Sequence, residues 1–260
     1  MNAELLSPPA ARSREILALL DTLQSVPGNA VTACRGWTVH EIIAHLAAGC
    51  VALADQAEAF GAGDPVPPFG SWLERDETWR LVDDIRLRDE LDRAEMRMTT
   101  ALTALDERQP NQVIPDGGWG FTVTDLACHF RQEFALHRWD MIGDDTLGEE
   151  FLAQPEFAVH SVSHLSEWLL IRGLQEDPRP GADFDARIRG MAADDVALQV
   201  RGGVGVLEFT TPIDGGDVLH TDAAAGLLFI WGRRPADSRR TLSDMPVDHL
   251  IRMTSLLAGF

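Results

Sequence analysis

The 260-residue sequence contains no lysine and no tyrosine, so its 22 lysine-plus-arginine positions are all arginine. Chemistry that needs a Schiff-base lysine or a phenolic acid has no residue to run on. Cysteine is scarce. Cys34, Cys50 and Cys128 are an odd number with no C-x-x-C pair. That argues against a disulfide framework or a cysteine-rich zinc site and leaves buried thiols as the expectation. Positive charge is in deficit, with 41 acidic residues giving a formal charge of -19, and a surface of that sign repels a phosphate backbone and excludes nucleic acid as a partner. No run approaches the roughly 18 uninterrupted apolar residues of a membrane span. The first twenty residues also lack the basic start, apolar block and small-residue cleavage site of a leader. A cytoplasmic protein with no membrane partner is the expectation. There is no G-x-S-x-G and no P-loop, and Gly203-x-Gly205 lacks the third glycine of a dinucleotide site, so it reads as a hairpin turn.

What is present is apolar periodicity at 45% hydrophobic content, enough to build cores. A first helix is expected from Glu4 to about Gln24, stopped by Pro27-Gly28. The second has a sharper start. Thr38 stands as N-cap, Glu41 as its capping-box partner and Trp37 against Ile42 as a staple, so the helix begins at Val39 and runs to about Phe60. The stretch from Ser71 to about Leu105 reads as a long or once-broken amphipathic helix. After a loop containing Pro110, Pro115, Gly117 and Gly118, a fourth helix starts like the second, with Thr122 as cap and Asp125 at N3, and runs to about Ile142. The two starts align without a gap and place His45 on His129. That is either a pseudo-repeat or the look of two well-capped helices. A fifth helix is expected from Phe151 to Leu174, and then the segment from Gln175 to Gly181 marks a boundary. Beyond it, alternating runs at Asp195–Arg201, Val206–Thr211 and Asp217–Thr221, with helical patterns at Ala223–Trp231 and Val247–Leu257, describe a small α/β domain. The expected fold class is α+β, a helical bundle over 1–176 followed by the small domain over 183–260.

On the fourth helix, Glu133 and His137 stand four apart and share a face. The apolar arc of Leu126, Phe130, Phe134 and Met141 contains His137 and has Glu133 at its edge. Inward-pointing groups of this kind need partners. One reading is a metal, with His45 from the margin of the second helix as third ligand; the other is a hydrogen-bonded pair and a satisfied core histidine. His160, His164 and Glu167 form a competing set at ligand spacing, on the face opposite the stripe of Ala158, Val162, Leu165 and Leu169, and are expected to look at solvent. Asp140 is a candidate to orient a ligand imidazole.

The string Gly36-Trp-Thr-Val-x-x-Ile-Ile-Ala-His45-Leu46, followed by Arg131-x-Glu133-x-x-x-His137-Arg-Trp-Asp140, resembles the mycothiol-dependent maleylpyruvate isomerase family of the DinB-like metal-binding superfamily. The resemblance extends to Ala223–Pro235, which looks like that family's helix ending in Gly-Arg. It implies a DinB-like four-helix bundle with an extra helix. It also implies a divalent metal, usually Zn²⁺, on His45, Glu133 and His137, with the low-molecular-weight thiol mycothiol as cosubstrate. Three protein ligands leave a position open, the mark of a catalytic site, and a coordinated thiol is deprotonated at neutral pH. The expected reaction is thiolate addition to a small electrophilic carboxylate, as a cis-trans isomerase or an S-transferase. A non-catalytic metal-binding or ligand-binding protein is the rival. Arg233 is the expected grip on a substrate carboxylate, or else a helix-end arginine facing the dipole. His129 is the expected hydrogen-bonding or general-base group, or else a boundary histidine.

Overall fold

The computed structural model describes residues 11–108, 111–116 and 119–259. It divides into two compact units, Met1–His137 and Arg138–Phe260.

The first unit is helical. It contains α1 (Arg14–Leu23), α2 (Val39–Ala62), α3 (Trp72–Glu77), a 3-10 turn (Trp79–Leu81), α4 (Asp84–Arg108), a hairpin of β1 (Val113–Asp116) with β2 (Trp119–Thr122), and α5 (Val123–Ile142), which spans the division. The capping box forms as the spacing predicts: Glu41 N–H donates to Thr38 Oγ1, and Thr38 N–H donates to Glu41 Oε2 at 2.7 Å. α2 then buries Ile42, Ile43, Leu46, Cys50 and Leu53 along α4, which answers with Leu87, Leu91, Met98, Leu102 and Leu105. By length and composition α2 would pass for a membrane span, but 67% of its most apolar window is buried, as in the core helix of a bundle. The long pattern from Ser71 breaks once, at the 3-10 turn. Arg131 on α5 ties that helix to α1 by donating from Nη2 to the buried carboxylate of Glu15 at 2.8 Å.

Two expectations change here. α1 begins at Arg14, after its cap Ser13; the earlier turns expected from Glu4 lie outside the described residues. The expected loop before α5 is a hairpin in register Val113↔Thr122, with Pro115 inside a strand, while Pro110, Gly117 and Gly118 lie outside the described residues. Thr122 has two tasks, ending β2 and capping α5, where its hydroxyl accepts from Asp125 N–H at 3.1 Å and its own N–H donates to Asp125 Oδ2 at 3.0 Å.

In the second unit the expected fifth helix is three: α6 (Thr146–Leu152), α7 (Pro155–His164) and α8 (Ser166–Gln175). They are followed by β3 (Phe184–Arg189), β4 (Asp195–Arg201), β5 (Val204–Thr210), β6 (Val218–Thr221), α9 (Ala223–Ile230), β7 (Thr241–Ser243) and α10 (Val247–Leu256). The sheet order is β5-β4-β3-β6-β7, with β3 and β6 parallel and the other neighbours antiparallel. The Gly202-Gly203 turn joins β4 to β5 with φ of 54° and 84°, the left-handed pair that a two-residue hairpin requires.

The compact division falls inside α5 and not in 177–182. The reason is packing. Ser166 at the start of α8 accepts a hydrogen bond from Leu207 N–H at 2.6 Å, and α7 and α8 both lie against β5. The Pro- and Gly-rich segment itself is clasped, because the buried Arg252 of α10 donates from Nε and Nη2 to Asp177 at 3.1 and 2.9 Å and from Nη1 to the Asp183 carbonyl. Gly173 lets α8 and α10 approach: a Cβ there would lie 2.0 Å from the Leu256 carbonyl oxygen.

Candidate metal centre

His45 comes from the second turn of α2, and Glu133 and His137 from one face of α5, all three within the first unit. Glu133 Oε2 lies 3.5 Å from His45 Nε2 and 3.4 Å from His137 Nε2, and one donor atom from each residue falls within 4.8 Å of the others. Among the described residues no other histidine, cysteine and carboxylate group converges in this way. Ligands about 2.0–2.1 Å from a tetrahedral Zn²⁺ are separated by edges of about 3.3 Å. The two short separations match that spacing, and two imidazoles with one carboxylate form a donor set suited to such an ion. The residues present therefore fit a divalent metal.

The neighbours of His45 fix its tautomer. Its Nδ1 lies 2.8 Å from Oδ2 of Asp76, a fully buried carboxylate on α3. Arg75 Nη2 lies 3.4 Å from the same Nδ1; the shorter Asp76 contact favours the proton on Nδ1, and in that tautomer the Nε2 lone pair faces Glu133 and His137. Arg75 donates from Nε to Asp76 Oδ1 at 3.2 Å and stacks over the Phe69 ring, holding the carboxylate in place. Trp37, immediately before the α2 cap, packs its ring edgewise 5.2 Å from His45 and stacks on His137 at 6.3 Å with an interplanar angle of 13°. Burial alone would raise the Glu133 carboxyl, but the imidazoles of His137 and His45 outweigh it and hold the group well below the usual carboxylate range. It is an anion set against the Nε2 atoms of two imidazoles.

His129 sits one turn before Glu133, with its ring 5.8 Å from Phe130. Burial pushes its pKa down against the opposing pull of the Glu133 charge, which leaves the imidazole neutral. Asp140, the candidate to orient a ligand imidazole, has an arginine as its partner. It is fully buried in a bidentate pair with Arg233, whose Nε and Nη2 donate to its two oxygens at 3.0 and 2.6 Å. The Arg233 fork expected for a substrate carboxylate is thus filled by the protein's own, and its Nη1 donates to the Trp231 carbonyl at the end of α9. The competing set does not assemble. His160 is buried at 3% exposure, contrary to the expected solvent face, because α7 buries Phe157, Ser161 and Val162 around it. His164 and Glu167 are exposed, on either side of the break at Leu165. Of the cysteines only Cys50 is buried, and none is in a disulfide.

Asp76 and Arg75 were missed from the sequence. The signal available was a carboxylate beside an arginine in a short segment flanked by Trp72 and Trp79, an amphipathic pattern too brief to show which face is covered.

The family profile of the mycothiol maleylpyruvate isomerase N-terminal domain matches residues 10–142. The chain belongs to that family. No curated protein sequence matches it. Two solved structures share its fold. They are the crystal structure of the mycothiol-dependent maleylpyruvate isomerase, at 15% identity, and that of a histidine-to-alanine mutant, at 14%. Each aligns with a TM-score of 0.61 over 89% of this chain and 90% of the other. These likenesses establish the α+β fold, a helical N-terminal region followed by a C-terminal sheet domain.

Proposed function

We propose that this protein is a divalent-metal- and mycothiol-dependent enzyme that adds a thiolate to a small unsaturated carboxylate, as a cis-trans isomerase of the maleylpyruvate isomerase kind. The observation that carries this reading is the convergence of His45 Nε2, Glu133 Oε2 and His137 Nε2 with the His45 tautomer held by Asp76. Family membership supplies the thiol and the reaction class. His45, Glu133 and His137 would hold Zn²⁺ or another divalent ion. Such an ion, when bound, would keep a thiol deprotonated at neutral pH.

The chain's own residues do the rest. Asp76 and Arg75 keep the His45 ring from turning, and the Trp37 ring packs against both His45 and His137. His129, neutral and one turn from Glu133, has a nitrogen lone pair that can take the proton of an incoming thiol. In the isomerase reaction the thiolate sulfur bonds to one alkene carbon and the π electrons move into the conjugated carbonyl. The former double bond rotates, and the electrons return as the C–S bond breaks. If the carbon is protonated and the adduct leaves instead, the same site is an S-transferase.

The test separates both from a non-catalytic metal protein. In the Co²⁺-substituted protein, mycothiol should change the visible spectrum, and thiol-dependent conversion of unsaturated dicarboxylates should follow. A spectrum indifferent to thiol, with no thiol-dependent turnover, would leave the non-catalytic reading standing.

A further inference from the structure

Several of the protein's arginines grip a carboxylate through the Nε and Nη2 side of the guanidinium. Arg233 holds Asp140 so, Arg189 holds Asp195 at 2.9 and 2.7 Å, and Arg252 holds Asp177. Arg80, in the 3-10 turn after α3, presents the same pair without a ligand. Its Nε and Nη2 are both buried, and neither has a hydrogen-bond partner. No carboxylate among the described residues lies within ion-pair distance, in a sequence with 41 acidic residues to choose from. Buried guanidinium N–H groups left unpaired are costly, so they point to a ligand that completes them.

The surroundings of Arg80 say where that ligand goes. Its guanidinium carbon lies 5.5 Å over the Trp37 ring, which itself packs against His45 and stacks on His137. The platform is fixed: Trp37 N–H donates to the Cys34 carbonyl, and the Trp37 carbonyl accepts from Thr32 N–H and Thr32 Oγ1. The turn is fixed too, because His40 Nε2 on α2 lies 3.1 Å from the Arg80 carbonyl oxygen and can donate to it. One short segment therefore supplies the carboxylate that orients His45 and, four residues on, an unpaired cation separated from His45 and His137 by a single indole.

Resting on the reading of this site as one for a small unsaturated carboxylate, we propose that Arg80 is the arginine that binds the substrate's carboxylate, through Nε and Nη2. Arg233 is already committed to Asp140. The ligand class is a planar carboxylate, because the fork matches its two oxygens and leaves little for a neutral amide.

The test is calorimetric titration of the Zn²⁺-loaded full-length protein with maleate, alongside the neutral diamide maleamide. Arg80→Gln should keep wild-type metal content and the wild-type Co²⁺ response to thiol. It should weaken maleate binding by about tenfold or more and leave any maleamide binding unchanged. Arg80→Lys should recover little, since an ammonium has no fork. It also serves as the deciding variant should Arg80→Gln fail to load metal. Maleate binding equal to wild type in a metal-loaded variant, or none in the wild type, would overturn the assignment. A wild-type protein that binds no metal and ignores thiol would instead sink the metal and thiol reading, whatever maleate does, so the two failures are distinguishable.

Discussion

Two histidine-carboxylate clusters have comparable spacing in the sequence, and the fold treats them oppositely. Glu133 and His137 lie on one unbroken helix and meet His45 from another, itself held by a buried aspartate. His160, His164 and Glu167 straddle the break at Leu165, so one imidazole is buried while the other two side chains are exposed. The rings of His160 and His164 stack 5.6 Å apart, and among the described residues the two join no group of three or more potential metal ligands. Spacing on a helix brings two donors together at most. A third donor and a group that fixes the tautomer have to come from elsewhere in the fold.

The largest effect that would break this comparison is loss of metal. His45→Ala, Glu133→Ala and His137→Ala should each abolish stoichiometric binding of about one divalent ion per chain, read by elemental analysis, while His160→Ala and His164→Ala retain it. Retention in His137→Ala with loss in His160→Ala would reverse the assignment. Next comes stability in the second unit. Arg233→Ala strips the buried Asp140 carboxylate of its bidentate partner, and a broken buried pair costs about 3–5 kcal/mol. Denaturant unfolding should show a drop of that order with metal content unchanged in the protein that remains folded. A small drop with lost turnover would return Arg233 to a substrate-gripping role. Smaller still is the effect of Asp76→Asn, in which the amide can no longer act as an anionic acceptor for His45 Nδ1–H. Removing a partner of this kind costs about 10–100-fold in metal affinity, measurable by competition with a chelator.

Long-range packing decided what could be read in the sequence. The helix starts at Thr38 and Thr122 were legible because capping is local, resolved within four residues. His45, Glu133 and His137 were legible because each sits in a long periodic helix, where position on the arc predicts burial, and because their surrounding strings match a family. Asp76 and Arg80 were not. They lie in a six-residue helix and a three-residue turn, where no period accumulates and burial is imposed by Trp37 and α2. β1, β3 and β7 were missed for a related reason: strands of three to six residues, one containing Pro115, carry little alternation. A loop rich in proline and glycine reads as a linker, yet the buried Arg252 of α10 donates to Asp177 within it, a tie that no local pattern announces.

The smallest predicted effect sharpens the difference between holding a helix and holding a ligand. Thr38→Ala removes the hydroxyl that accepts from Glu41 N–H and leaves Glu41 reaching to a bare backbone donor, a loss of about 1 kcal/mol in unfolding free energy. His45 lies well inside α2, and its ring is fixed by Asp76 and Trp37 and not by the cap. The folded fraction of Thr38→Ala should therefore bind metal with wild-type affinity, in contrast to Asp76→Asn, whose unfolding transition should shift little next to its loss of metal affinity. If Thr38→Ala weakens metal binding as much as Asp76→Asn does, the His45 position depends on the rigidity of the whole helix start. The aspartate would then be one packing contact among several, and its role in setting the tautomer would fall.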